Sequence, residues 1–69
     1  MTTDKIIGQK IRAFRQQKKL SQYELADILF KSQSSISMME RGKMSIYAKD
    51  LFNLADAFDI NIYDFRKWK

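Results

Sequence analysis

The spacing of the apolar residues limits this chain to helices. Apolar side chains recur every three or four residues, and nowhere do they alternate with polar ones over the length of a strand. That period matches one face of an α-helix, whereas a strand needs a period of two. Proline is absent and glycine occurs only at positions 8 and 42, so little interrupts the helices. With 69 residues, the chain is expected to form a single all-α domain over residues 1–69.

Capping signals divide the apolar pattern into five short helices, which predicts a compact five-helix bundle. Ser21 followed by Glu24 is a capping-box pattern, in which each residue satisfies a backbone amide near the other. The expected N-caps of the five helices are Thr3, Ser21, Ser32, Ser45 and Asn61. The fourth helix is expected to bury Ala48, Leu51, Phe52, Leu54, Ala55 and Phe58.

Composition argues against several classes of protein. The chain has no cysteine and no histidine, so it lacks thiolate metal ligands and the commonest general base. We therefore expect no enzyme, no metal and no cofactor. The longest apolar runs are too short for a membrane span or a signal peptide, which predicts a cytoplasmic protein.

The charge distribution favours a polyanionic partner. The net charge is +5 and the pI is about 9.7, which suits nucleic acid or an acidic membrane surface. Residues 1–20 carry six Lys or Arg against one Asp, and the remaining residues sum to zero. The positive excess therefore lies in the first helix.

The third predicted helix has an unusual outer face. Ile36 and Met39 lie three residues apart and would face the core, but the helix also carries four serines and a glutamine. Serine lowers helix propensity because its hydroxyl competes for the backbone, so a surface with no other task would rarely use it. The pattern indicates a face built to hydrogen-bond a partner. Gly42 stands where a left-handed residue would end this helix.

Four stretches combine into a family pattern: residues 7–12 with Arg15, residues 20–26, residues 35–43 and residues 51–55. The most specific part is Leu-Ser-Gln-x-Glu-Leu-Ala, followed ten residues later by Ile-Ser-x-x-Glu-x-Gly. Over residues 6–65 the chain resembles the Cro/cI-type helix-turn-helix family of phage repressors and bacterial transcriptional regulators. The resemblance implies a lambda-repressor-like DNA-binding domain whose helices 2 and 3 form the helix-turn-helix.

In that family, helix 3 enters the major groove with its N-terminal residues against base edges. The residues that this implies as base contacts are Ser32, Gln33, Ser34, Ser37 and Met38. Glutamine can bond adenine through two atoms, serine can bond several base edges, and methionine can contact a thymine methyl group. Ser32 has an equal alternative role as an N-cap, and Met38 as an ordinary surface side chain.

The resemblance also implies phosphate contacts and an internal ion pair. The expected phosphate contacts are Gln22, Arg12, Lys31, Arg41 and Lys43. For any one lysine, a plain solvent-exposed position on the surface explains the residue equally well. Gln22 lies at the positive N-terminal end of helix 2 and is expected to brace the first glutamine of helix 3. Arg15 and Glu40 match a pair that joins helix 1 to helix 3, and we interpret it as structural.

The chain departs from the family at places where the family commonly has glycine. Those places hold Lys19, Phe30 and Asp59. A bulky residue reaches positive φ only at a cost of about 1 kcal/mol or more, so Phe30 is either strained or part of a different turn. Lys31 replaces a residue that is usually apolar, and Ile46 stands where a proline often starts helix 4.

The expected function is that of a sequence-specific regulator of transcription, a repressor that binds a palindromic operator in double-stranded DNA as a homodimer. No small-molecule ligand is expected. Dimer contacts are expected from Tyr63, Phe65 and Trp68, with a role in closing the core as the alternative for the last two. The alternative function is a protein-binding module of the same shape, such as an antitoxin or an anti-repressor partner. Such a module would not need the polar outer face of helix 3.

Overall fold

A computed structural model describes residues 3–65, which form four α-helices and one turn of 3-10 helix. The α-helices are α1 (Thr3–Gln17), α2 (Gln22–Ile28), α3 (Gln33–Glu40) and α4 (Ala48–Phe58), and the 3-10 helix spans Ile62–Phe65. No strand occurs in this part of the chain, so the fold is all-α. The expected fifth helix is only this 3-10 turn, and Trp68, assigned to that helix, lies outside the described residues.

The core lies where α1, α2 and α3 meet α4. Phe14, Phe58 and Phe65 form an aromatic cluster, with ring centroids 5.5 to 6.5 Å apart. Phe65 is only 3% exposed, so of its two expected roles it takes that of closing the core. The buried apolar residues are Ile11, Leu25, Ala26, Ile36, Met39, Leu54, Ala55, Phe58 and Phe65. No helix within residues 3–65 is long and apolar enough to cross a membrane.

The start of α4 differs from the expectation. Tyr47, and not Ser45, is the N-cap. The backbone amide of Tyr47 donates a hydrogen bond to the Asp50 carboxylate at 3.1 Å. The helix buries one face around Leu54, whereas Phe52 is 59% exposed and does not belong to the core. The first turn of the helix was therefore placed two residues too early, and its buried face is narrower than predicted.

The close crossing of α1 and α3 depends on Gly8. A Cβ atom at this position would lie 2.9 Å from the carbonyl oxygen of Glu40 and closer still to that of Met39. Both of these are backbone atoms, which cannot move aside as a flexible side chain could. Gly8 thus sets how near α1 approaches the end of α3.

Each α-helix within residues 3–65 ends with the same backbone pattern. At the end of α2, the amide of Lys31 bonds the carbonyl of Ala26 at 2.8 Å, and the amide of Phe30 bonds that of Asp27 at 3.3 Å. This pair of bonds defines a Schellman motif, which satisfies carbonyls that the helix itself leaves unpaired. The same two bonds close α1, α3 and α4.

The motif requires a left-handed residue, and only one of the four is glycine. The φ angles are 59° at Lys19, 56° at Phe30, 71° at Gly42 and 57° at Asp59. The three places where the family commonly has glycine therefore keep the conformation that glycine would adopt. Phe30 is strained, and it does not occupy a different turn.

Candidate nucleic-acid interface

The outer face of α3 carries the residues expected to contact bases. Positions four apart lie above one another on a helix, so Gln33 and Ser37 form one row and Ser34 and Met38 a second. Ile36, Met39 and Glu40 are buried on the opposite side. Ser34 is exposed, and the other three outer residues are half-buried. The fold therefore brings these four expected residues to one surface.

Ser32 begins α3 as its N-cap. Its hydroxyl accepts a hydrogen bond from the backbone amide of Ser35 at 3.1 Å, and the two hydroxyls lie 3.0 Å apart. This bond satisfies one of the amides that a helix start leaves without a partner. The capping role of Ser32 is present in the structure, and its base contact remains a prediction.

Four side chains form a hydrogen-bonded series that we call the relay: Arg15, Glu40, Gln22 and Gln33. Arg15 Nε donates to Glu40 Oε2 at 2.6 Å, and a second guanidinium nitrogen donates to Oε1 at 3.3 Å. Gln22 Nε2 also donates to Glu40 Oε1, at 3.1 Å, and Gln22 Oε1 accepts from Gln33 Nε2 at 2.6 Å. The relay connects α1, α2 and both ends of α3.

Most of the relay is shielded from water. The Arg15 and Glu40 side chains are 12% and 3% exposed, and Arg15 donates a further bond to the carbonyl of Leu20 at 2.8 Å. Charge-assisted bonds to two oxygens of one carboxylate are strong and strict in geometry. Glu40 is thus held rigidly at the end of α3. It orients Gln22 through a hydrogen bond, and Gln22 in turn orients Gln33.

Arg41 lies along the outer face of α3. Its Nε donates to the carbonyl of Ser37 at 3.4 Å, and one terminal nitrogen lies 3.6 Å from the sulfur of Met38. The guanidinium therefore sits beside two of the expected base contacts while remaining exposed. Lys43, beyond the helix end, and Arg12, on α1, are also exposed.

Lys31 has a partner within the chain. Its ammonium nitrogen lies 3.4 Å from Oδ1 of Asp50, whose side chain is 8% exposed. A phosphate contact by Lys31 would compete with this ion pair, so its expected role is less well founded than those of Arg12, Arg41 and Lys43.

Among the dimer candidates, Tyr63 is 62% exposed and Trp68 lies outside the described residues.

Sequence reasoning did not predict the contacts that two acidic residues, Asp50 and Asp4, make between elements of the fold. Asp50 ties the α2–α3 turn to the start of α4 through Lys31 and Tyr47. Asp4 accepts a hydrogen bond from the amide of Ile46 at 3.3 Å, joining α1 to the segment before α4. The unusual lysine at position 31 could have indicated the role of Asp50, since a charged side chain beside a core is usually paired with an opposite charge.

Comparison with known proteins gives one family and a consistent fold. The profile described as helix-turn-helix matches residues 11–65. The crystal structure of the clp gene regulator ClgR from Corynebacterium glutamicum superposes with a TM-score of 0.91 at 24% identity, covering 96% of this chain and 86% of that one. The restriction-modification controller protein C.AhdI from Aeromonas hydrophila gives 0.84 at 31% identity, covering 90% of each chain. The comparison with curated proteins gives no match.

Proposed function

We infer the function from the family: the chain belongs to the Cro/cI-type helix-turn-helix family, whose members are regulatory DNA-binding domains. We propose that it is a sequence-specific regulator of transcription that binds double-stranded DNA. One observation carries this proposal. The outer face of α3 carries the polar side chains of Gln33, Ser34 and Ser37, and the relay fixes the orientation of Gln33.

In the proposed complex, the N-terminal half of α3 lies in the major groove. Gln33, Ser34 and Ser37 face base edges there, with Met38 against a thymine methyl group and Ser32 at the entry. The exposed cations Arg12, Arg41 and Lys43 contact phosphates on either side of the groove. Because each such contact releases counterions, affinity falls steeply as the salt concentration rises.

We further propose that the protein acts as a homodimeric repressor on a palindromic operator. The two copies of α3 would then lie roughly 34 Å apart, one turn of DNA. With Phe65 in the core, Tyr63 and Trp68 remain as the proposed dimer contacts. The crystal structure of C.AhdI is described as that of a controller protein, which is compatible with a regulatory role for this chain.

A second candidate function is supported by the surface beside the α2–α3 turn. Phe30 is 96% exposed, and with Ile28 and Ala57 it lines an open groove of about 310 Å³ between α2 and α4. Asn53 and Asp56 also line the groove, and its apolar part around Phe30 could contact another protein. This favours the alternative of a module that binds another protein, but it leaves the polar face of α3 unexplained.

Selection of bound duplexes from a random pool tests the two functions against each other. The proposed function predicts a recovered motif with two symmetric half-sites about 10 base pairs apart, centre to centre. A variant with Gln33→Ala and Ser34→Ala should recover a weaker or altered motif. Recovery of unselected sequence by the unaltered protein would contradict DNA reading and favour the protein-binding function.

A further inference from the structure

We propose that the outer face of α4, together with the groove beside it, binds the same face of a second copy of this chain, with the two α4 helices antiparallel. We call this surface the α4 face. Its exposed side chains are Phe30, Lys49, Phe52, Asn53 and Asp56. The contact itself goes beyond the proposed DNA binding, because it uses no residue of α3.

The first observation is the position of Phe30. The rest of residues 3–65 leaves its ring 96% exposed, and its backbone is left-handed, with a φ of 56°. Glycine adopts this conformation without strain, and asparagine or aspartate adopts it more easily than a bulky residue does. A strained residue that presents a large apolar ring to solvent indicates a function outside the single chain. Burial of the ring against a second copy supplies that function.

The second observation is that a protruding ring and a recess lie side by side. Phe30 stands at the groove between α2 and α4, whose volume is about 310 Å³. The half-exposed Ile28 and the partly buried Leu29 and Ala57 form the apolar part of the groove. A surface that carries both shapes can pair with its own copy around a twofold axis. The ring of each copy then enters the groove of the other.

The charges along α4 set the direction of this pairing. Lys49, Asn53 and Asp56 are spaced four and three residues apart, so they form one exposed row along the helix. When two copies pair antiparallel around Asn53, Lys49 of each copy meets the partner's Asp56. A parallel pairing would set like charges against each other. Exposed ion pairs add little affinity, so they fix the direction while the buried Phe30 ring supplies most of the attraction.

The α4 face does not include the expected dimer contact Tyr63. Tyr63 lies on the 3-10 turn, which packs on α1 through Phe65 and Phe14, whereas the groove opens between α2 and α4. Two dimers formed through Tyr63 could therefore join through their α4 faces when they occupy neighbouring operators. This consequence, unlike the contact itself, rests on the proposed function.

Cysteine cross-linking without DNA tests the contact and its direction, because the chain has no cysteine of its own. The variants are Lys49→Cys, Asn53→Cys and Asp56→Cys, all at exposed positions. A disulfide needs Cα atoms within about 7 Å of each other. We expect Asn53→Cys to link to itself. An equal mixture of Lys49→Cys and Asp56→Cys should give the mixed product about tenfold above either self-linked product, as measured by mass spectrometry.

Two further variants separate a specific contact from random collision. Phe30→Ala, added to Asn53→Cys, should slow cross-linking about tenfold or more, since a central aromatic side chain contributes much of the affinity of an interface. Gln16→Cys, at an exposed position on α1, is the matched control and should link slowly whether or not Phe30 is present.

Three results would overturn the inference. Asn53→Cys could link no faster than Gln16→Cys, which would leave the groove to a different protein. The self-linked products could exceed the mixed product, which would exclude the antiparallel arrangement. Phe30→Ala could link as fast as the protein that keeps the ring. Because no DNA is present, each of these results leaves the proposed DNA binding standing, and loss of DNA binding would leave this contact standing.

Discussion

The first turn of α3 is held from two sides, and the two sides are built differently. On one side the relay joins Arg15, Glu40, Gln22 and Gln33 through side chains in a shielded environment. On the other side the α2–α3 turn, residues 29–31, is closed by backbone bonds, and its central residue Phe30 is left-handed and 96% exposed. The hydrogen bonds of the relay stabilise the fold. The left-handed backbone at Phe30 destabilises it, and because the side chain is exposed, burial of the ring does not compensate for that strain.

This difference shows where the orientation of α3 comes from. A Schellman motif fixes the backbone path with the same two bonds whatever residue sits in the left-handed position. The relay depends on the identity of each side chain. Substitutions in the relay should therefore destabilise the protein, and replacement of Phe30 by glycine should stabilise it.

The largest expected effect is that of Arg15→Met. The change leaves the buried Glu40 carboxylate without its charge partner, which costs about 3 to 5 kcal/mol. For a domain of this size the melting temperature should fall by more than about 10 °C, as measured by circular dichroism. Lys18→Met is the matched control, because it removes an exposed charge just beyond the same helix. A melting temperature for Arg15→Met equal to that of the control would show that the relay adds no stability.

Gly8→Ala should have the next largest effect. The added methyl group meets two carbonyls of α3, so the helices must separate, at a cost of about 1 to 3 kcal/mol. Chemical denaturation measures this loss, with Gln9→Ala on the exposed side of α1 as control. If Gly8→Ala proved as stable as Gln9→Ala, the close crossing of α1 and α3 would be incorrect.

A substitution in the α2–α3 turn should change the free energy of unfolding in the opposite direction. Phe30→Gly should raise the free energy of unfolding by about 1 to 2 kcal/mol, because glycine reaches positive φ without strain. Phe30→Ala removes the same aromatic ring but keeps the strain, so it should not stabilise the protein. Equal stability of the two variants would remove the contrast between the turn and the relay. The gain for Asp59→Gly should be smaller, since aspartate tolerates this conformation better than a bulky residue.

The smallest effects on stability separate two neighbouring serines of α3. Ser32→Ala removes the N-cap and should cost about 1 kcal/mol in thermal denaturation. Ser34→Ala, at an exposed position, should change stability by less than about 0.5 kcal/mol. Ser34→Ala should nevertheless weaken binding to the selected duplex. If both variants lost stability equally, Ser34 would have a structural role that the account does not include.

The sequence predicted the features that depend on local chemistry. Helical spacing and the absence of proline were enough for the all-α class, and the capping box at Ser21 marked the start of α2 correctly. The five-helix count is not confirmed: within residues 3–65 the stretch after Asn61 forms one turn of 3-10 helix, which a single apolar turn supports as readily as an α-helix. Ser45 was wrong as a cap because Asp50 bonds the amide of Tyr47 and fixes the start of α4 there.

The site was harder to predict, because its geometry arises from contacts distant in the sequence. The resemblance implied both the Arg15–Glu40 pair and the bracing role of Gln22. It did not imply that Gln22 also bonds Glu40, which joins the two contacts into the relay. For Phe65 the sequence left a dimer contact and a place in the core open, because an apolar residue carries no local sign of which partner buries it, and the structure buries it in the core. Position 30 gave a choice between strain and a different turn, and only the backbone φ decides it.

The central claim is that the outer face of α3 reads DNA sequence, with Gln33 held for that purpose by the relay. The most direct measurement compares affinities for a selected duplex and a scrambled duplex of equal length, by anisotropy at a fixed salt concentration. We predict that the unaltered protein binds the selected duplex about 10³-fold more tightly or better. Gln33→Ala should lower that ratio by about tenfold while leaving affinity for the scrambled duplex unchanged. Equal affinity of the unaltered protein for both duplexes, or an unchanged ratio in Gln33→Ala, would contradict the claim.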